Sequence, residues 1–213
     1  MSWPKDHKQA TRQRIVEAAA AAFRQRGIAD VGVAEIMRRA GLTHGGFYAH
    51  FDSKEVLLAA ALNHAATQVT SMLEMAVKNR AGPDQLLNAA LAYLSPPHLA
   101  HPERGCPVAA LGPELARSSK KVQQKLATAI RTRLKKLFDM ISSRVPLEKR
   151  KQRAAGALAC MVGGLVLARG LKESDAFELL NDCHAFLRDA LAYSDGEAAT
   201  MSATAETQSR SSA

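Results

Sequence analysis

The chain has 213 residues, 47% of them hydrophobic and only 5% aromatic, with a formal net charge of +9. It is long enough for one large domain or two small ones and too apolar for wholesale disorder. The alanine-rich, aromatic-poor mix favours helices over sheets, and the basic balance points to a polyanion, nucleic acid first, with a solvated basic surface as the plain alternative.

The opening residues, Trp3, Pro4, Lys5, Asp6, His7 and Lys8, are too charged for a signal peptide. Residues 11–26 carry Ile15, Ala18, Ala19, Ala22 and Phe23 at helical spacing, with Thr11 as the predicted cap and Gly27 as the stop. A second short helix is predicted over 33–40 and a third over 44–50, with Thr43 as its N-cap. Two short helices joined by a tight glycine-containing turn have the outline of a helix-turn-helix. A fourth helix starts at Asp52, whose spacing from Glu55 suits a capping box, and runs to about residue 78. Gly82-Pro83 breaks the chain, and a fifth helix fits 86–94. Pro96, Pro97 and Pro102 read as loop, and 107–116 as a helix interrupted at Gly112-Pro113. The stretch 118–144 sets Val122, Leu126, Ala129, Ile130, Leu134, Leu137, Phe138 and Ile141 against a basic face that includes Arg131, Arg133, Lys135 and Lys136; that face reads as solvated. Helices over 147–170 and 174–193 follow, the latter capped by Ser174, and residues 194–213 read as a disordered tail. The longest apolar run, 154–168, is shorter than the ~18 residues of a membrane span.

The stretch "RIVEAAAAAFRQRGIADVGVAEIMRRAGLTHGGFYAHFDSKEVLLAAAL" resembles the DNA-binding domain of the TetR/AcrR transcriptional regulators, over about residues 10–62. The resemblance implies an all-α protein of about nine helices. Residues 1–54 would form a three-helix helix-turn-helix domain with a basic arm, and residues 55–193 a larger helical domain for effector binding and dimerisation. It implies a homodimeric repressor that binds palindromic double-stranded operator DNA and is released by a small molecule. An effector-independent architectural DNA-binding protein on the same fold is the alternative.

In "GLTHGGFYAHF" the adjacent glycines Gly45 and Gly46 weaken a helix by about 1 kcal/mol each. Glycines at the N-terminus of a recognition helix let the backbone approach DNA and aim N–H groups at phosphate. Phe47 and Phe51 would anchor the helix from below, leaving Tyr48 and His50 outward. Thr43 is a cap that also reaches phosphate, and His44 is the candidate base reader, against the plain reading of a surface histidine. Tyr48 and Lys54 resemble the family's phosphate-contacting positions. Arg12, with Lys5, Lys8 and Arg14, forms either a DNA-reaching arm or a basic tail. Val31-Gly32-Val33 stand where the family often has hydroxyl residues, so backbone N–H groups would replace that contact. Residues 1–54 hold nine Lys and Arg against five Asp and Glu, whereas residues 55–213 hold twenty against fifteen; the head has the higher positive charge density.

In "AAGALACMVGGLVLARG" the small residues Ala155, Ala159 and Gly163, and beside them Gly156, Cys160 and Gly164, lie four apart. Such ridges permit close helix approach, within one subunit or, as the resemblance implies, across a homodimer interface to which Phe186 would also belong. Candidate effector-pocket residues are Met72, Met75, Leu91, Leu94, Cys106, Leu111, Phe138, Met161 and Leu165, and their character suits a mostly apolar molecule. Cys106, near Arg104, His98 and His101, reads as a thiol-reactive sensor or as a small buried residue at a helix start. Cys106, Cys160 and Cys183 show no CxxC spacing, which fits a reducing cytoplasm and implies no metal site. No Walker loop, dinucleotide fingerprint, GxSxG or HExxH occurs, so neither an enzyme nor a cofactor is expected. No membrane partner is expected either.

Overall fold

The computed structural model describes residues 5–78 and 85–192; Trp3, Gly82-Pro83 and the tail expected to be disordered lie outside the described residues. Among the described residues there are nine α-helices and no strand: α1 (Lys5–Arg26), α2 (Val33–Arg39), α3 (Lys54–Lys78), α4 (Gln85–Tyr93), α5 (Pro96–Ala100), α6 (Pro107–Ala116), α7 (Lys120–Asp139), α8 (Leu147–Ala168) and α9 (Glu173–Leu191). Two 3₁₀ segments, His44–Ala49 and Pro102–Arg104, complete the set. The fold is all-α, as the alanine-rich periodicity predicts.

Several boundaries differ from expectation for local reasons. Helix α1 begins before Thr11, which is buried inside it. Thr11 lies one turn before Ile15 and extends the inward stripe of Ile15, Ala19, Ala22 and Phe23, so it packs instead of capping. The cap of α3 is Ser53 and not Asp52: the Ser53 hydroxyl accepts from the Val56 N–H at 3.2 Å. Ser174 donates to the Asp175 carboxylate at 2.9 Å and lies inside α9, whose N-cap position is Lys172. Pro96 and Pro97 start the short helix α5, which needs no amide donor in its first turn. Helix α6 continues through Pro113, while α7 is shorter than expected and is capped by the Ser119 hydroxyl.

Two hydrophobic clusters organise the chain. The first joins α1, α2, the 3₁₀ segment and the first half of α3, and takes in Leu111, Leu115 and Val122 from α6 and α7. The second fills the body from Val69 and Leu73 to Leu180 and Leu187. Helix α3 runs through both, so the division expected at residue 54 falls inside the first cluster. By length and a mean hydropathy of 1.2, α3 could cross a bilayer, but Leu57, Leu58, Ala61, Ala65 and Val69 are buried in these cores.

Polar contacts join head to body. Buried Arg24 on α1 donates to the carbonyls of Ala20 and Gly105 and to the Gln68 side chain, at 2.8–2.9 Å. Burial pulls its guanidinium down to about 10. Helix α1 stops at Gly27 (φ +88°), where a Cβ would also meet the Glu114 carboxylate at 2.9 Å. That carboxylate accepts from the Ile28 N–H at 2.8 Å, tying α6 to the turn that enters α2. The buried His98 ring bridges two loops: Nδ1 donates to the Tyr93 carbonyl at 2.6 Å and Nε2 accepts from the Cys106 N–H at 3.0 Å.

These two bonds require the neutral imidazole, and burial pushes His98 down to about 4. Between that value and an unfolded value of about 6.5 the unfolded chain binds the extra proton, so stability rises with pH through this window and is lost on acidification. Lowering the pH from 7 to 4 should cost about 3 kcal/mol through this group. Urea denaturation across that range should show a shallower loss in His98→Gln, which keeps an acceptor for the Cys106 amide without the titration.

Candidate nucleic-acid interface

Helix α2 ends in a Schellman turn: Leu42 N–H donates to the Met37 carbonyl and Gly41 N–H, at φ +70°, to that of Arg38. The Arg14 guanidinium donates to the Ala40 carbonyl at 2.5 Å, placing a cation at the helix C-terminus. Arg14 is thereby committed to holding α2 on α1. The next helical residues, His44–Ala49, form a 3₁₀ segment where an α-helix was expected. Thr43 stands at its N-cap with extended backbone, and its carbonyl accepts from the Gly46 N–H, but its hydroxyl makes no capping bond.

The segment has a dry side and a wet side. Phe47 and Phe51 are buried, their rings stacked with centroids 5.9 Å apart. Thr43, His44, Gly45 and Tyr48 are exposed, Tyr48 by 70%. Its ring meets Phe47 edge-on at 5.2 Å, which orients the phenol on the outer face. No backbone strain demands the two glycines, because neither has a positive φ. A Cβ on Gly45 would meet nothing within 4 Å, and one on Gly46 only the Met37 methyl at 3.6 Å. Bare backbone is therefore presented outward without being needed inward.

Two predicted contacts look different in place. Lys54 donates to the Ile28 carbonyl at 2.6 Å and lies over the Phe23 ring at 5.9 Å, so this ammonium also locks α3 to the head. His50 is half-buried; burial first, then the charges of Lys8 and Arg12, push its imidazole below the ordinary value. Arg12 lies on an exposed face of α1 with its guanidinium 4.5 Å above the Phe51 ring, stacked beside the 3₁₀ segment. Lys8 lies on the same helix, so the basic residues 8–14 are rigidly presented and not a tail. The surface thus joins helix-borne cations, a phenol, an imidazole, a hydroxyl and open backbone, a set suited to phosphates and base edges.

In the body the structure disperses the nine candidate pocket residues. Leu94, Cys106, Met161 and Leu165 are buried core, Leu111 belongs to the head cluster, and Met75 is 58% exposed. Met72, Leu91 and Phe138 are half-buried, with Arg150 stacked 3.9 Å from the Phe138 ring. Three grooves among the described residues have other linings: one of about 680 Å³ beside Arg24, Leu99 and Arg169, one of about 570 Å³ between α3 and α7, and one of about 290 Å³ between α8 and α9. Cys106 is 4% exposed and its amide is held by His98, which closes its thiol to reagents while α6 stays in place.

On α8, Ala155 and Ala159 are exposed and Gly163 half-exposed, and Phe186 on α9 is 60% exposed. Gly164 is a correction: it faces inward, where a Cβ would meet Cys183 Sγ at 2.9 Å and Leu94 at 3.1 Å. At Gly164 that ridge serves packing within the subunit, whereas Gly156 at its other end is exposed.

Sequence and structure comparisons agree with this layout. Residues 15–61 match the family model of bacterial regulatory proteins, tetR family. The HTH-type transcriptional regulator TtgR of Pseudomonas putida is 44% identical over 59 residues, 28% of this chain and 28% of that protein. The uncharacterized HTH-type transcriptional regulator Rv0196 of Mycobacterium tuberculosis is 26% identical over 184 residues, covering 81% of this chain and 91% of that one. A TetR-family regulator from Cytophaga hutchinsonii has the same fold over 91% of this chain and 100% of its own, with a TM-score of 0.76 at 21% identity.

Because Gly45 is in open space, Gly45→Ala should leave stability unchanged or raise it by up to about 1 kcal/mol. Phe47→Ala, which empties the floor of the segment, should cost about 3–5 kcal/mol. Equilibrium denaturation of both variants checks the pair.

Proposed function

The chain belongs to the TetR/AcrR family of bacterial regulatory proteins, and on that premise we propose that it is a ligand-responsive, homodimeric transcriptional repressor of the cytoplasm that binds palindromic operator DNA through residues 43–48. The observation that carries the reading is the two-sided segment His44–Ala49: aromatic floor buried, His44, Tyr48 and unneeded glycine backbone facing out. His44 reads a base edge. Thr43, Tyr48, Arg12, Lys54 and the Gly45 amide bind phosphate, with the Gly46 backbone allowing close approach and His50 supporting them from the edge.

Dimerisation is supported by where apolar surface remains. Six of the eight large apolar side chains exposed among the described residues, including Leu167 and Phe186, lie on α8, α9 or the turn between them. Phe186 stands at the rim of the hollow beside Gly156, and a knob next to a hollow is self-complementary across a two-fold axis. A two-fold dimer presents two recognition segments to successive major grooves, about 34 Å apart.

Selection of bound duplexes from a random pool should return a palindrome, and log K should decline with log salt by about 0.9 per phosphate neutralised. His44→Ala should relax one base position by roughly 1–3 kcal/mol, whereas Tyr48→Phe should weaken all sequences alike. An unchanged selected motif in His44→Ala would remove the base-reading role.

Gly163→Leu separates interface from core. Its side chain would enter open space within the protomer, so helicity and monomer packing should persist while the dimer weakens by about 1–3 kcal/mol. Gly164→Leu should instead destabilise the fold. Sedimentation equilibrium and thermal unfolding of the two variants distinguish these outcomes.

A further inference from the structure

The groove between α3 and α7 has a chemistry that the repressor reading leaves unused. Its lining holds three cations, Lys125, Arg133 and Lys136, against one carboxylate, Glu74. Glu74 is ion-paired with Lys136 at 2.6 Å and is also felt by Arg133, so one carboxylate faces three cations and the wall keeps a net positive charge. The remainder of the wall is largely neutral and polar. Thr67, Thr70 and Thr128 donate to carbonyls of their own helices and keep acceptor lone pairs. Ser71 and Thr132 make no side-chain hydrogen bond with a described residue. An apolar ligand here would leave these groups unmatched, at a cost in affinity.

Arg133 is the centre of the argument. It stands four residues before buried Leu137 and four after Ala129, on the inner ridge of α7, and is half-buried. Its guanidinium, five donors in a planar fork, makes no hydrogen bond with any described residue. On its inner side its charge is felt by Tyr93 and Cys106. Tyr93 is fully buried, does not line the groove, and has its hydroxyl against the Cys106 side chain. Burial first, then Cys106, pushes the phenol well above its ordinary value, so it stays a proton donor at neutral pH. A half-buried guanidinium that lines a groove of net positive charge and has no hydrogen-bond partner there lacks an oxyanion acceptor.

We propose that the α3–α7 groove binds a small hydroxylated organic oxyanion, a carboxylate or a phosphate monoester, whose anionic group is gripped by Arg133. The inference rests on the repressor reading for its purpose, since it names the chemical class of the effector, but its binding chemistry stands apart from DNA. Ligand hydroxyls donate to the threonine oxygens, and Lys125 adds attraction at the mouth.

The test is calorimetric titration of the full-length protein with gluconate, glucose 6-phosphate, inorganic phosphate, uncharged glucose and benzyl alcohol. Gluconate or glucose 6-phosphate should bind about tenfold or more tightly than glucose, and which of the two leads identifies the carboxylate or phosphate source. Arg133→Gln should abolish that advantage, and Arg133→Lys should retain part of it. Circular dichroism checks that each variant is folded. Equal binding of glucose, of benzyl alcohol or of bare inorganic phosphate would overturn the proposal. So would undiminished acid binding by folded Arg133→Gln, or failure of both organic acids at millimolar concentration. Operator binding is measured in parallel: its absence with acid binding intact would sink the repressor reading and leave the anion site standing.

Discussion

Arg24 is the interaction on which the arrangement of head and body turns. A guanidinium taken out of water is costly unless its donors are satisfied, and here they end on a carbonyl of its own helix, the Gly105 carbonyl before α6 and the Gln68 side chain of α3. None of these acceptors carries a charge. The residue is therefore held by geometry: move α6 or α3 relative to α1 and a buried cation loses a bond that water cannot easily replace. His98 and Glu114 repeat the pattern on either side, each tying the approach to α6, or α6 itself, to a neighbouring loop. The head is not a bead on a string, and the first hydrophobic cluster, which includes Leu111 and Leu115 from α6, says the same in apolar terms.

The outer face of the head reverses this logic. Where the junction satisfies the Arg24 donors it buries, the segment 43–48 leaves Thr43, Tyr48 and the Gly45 backbone open while spending both phenylalanines on its floor. Arg14 and Lys54, which by charge alone resemble phosphate ligands, carry structural bonds to Ala40 and Ile28. Charge near the proposed nucleic-acid surface thus divides into cations that fix it, such as Arg14, and cations that remain on it, such as Arg12, while the three donors of the Lys54 ammonium leave room for both.

Periodicity made the helices legible and left their ends ambiguous. The buried stripe of Ile15, Ala19, Ala22 and Phe23 was readable because core packing enforces it, as was the burial of Phe47 and Phe51 beneath an exposed Tyr48. Caps were not, because Asp52 and Ser53 are both competent and only the three-dimensional path of the chain chooses between them. Gly164 and Gly163 are adjacent and chemically identical, yet one packs on Cys183 and the other faces open space; a ridge of small residues encodes close approach without saying to what. By charge Arg133 belongs with the solvated basic face, yet its four-residue spacing from Ala129 and Leu137 puts it half-buried on the inner ridge; register is the better guide to its place. The candidate pocket residues illustrate the converse: Leu94, Met161 and Leu165 are apolar because they are core, and a list of apolar residues cannot distinguish a cavity wall from a filled interior.

The proposed effector groove and the proposed DNA surface share one helix. Helix α3 begins at Lys54, three residues after Phe51, and Leu62 at the head-side end of the groove follows eight residues later, about 12 Å along the axis. Lys54 bonds the turn before α2, and Glu55 accepts from Ser119, the cap of α7, at 2.9 Å. An anion drawn between α3 and α7 therefore acts on the two helices whose first turns already hold the head. The coupling can be no larger than the ligand's preference for one head orientation over the other, and each tenfold change in DNA affinity requires about 1.4 kcal/mol of that preference. By the same thermodynamic linkage, operator DNA must oppose the anion by an equal factor. A junction built from directional bonds suits that task better than apolar contact alone, because an apolar interface can slide by small increments, whereas Arg24 and Glu114 either keep their partners or lose them.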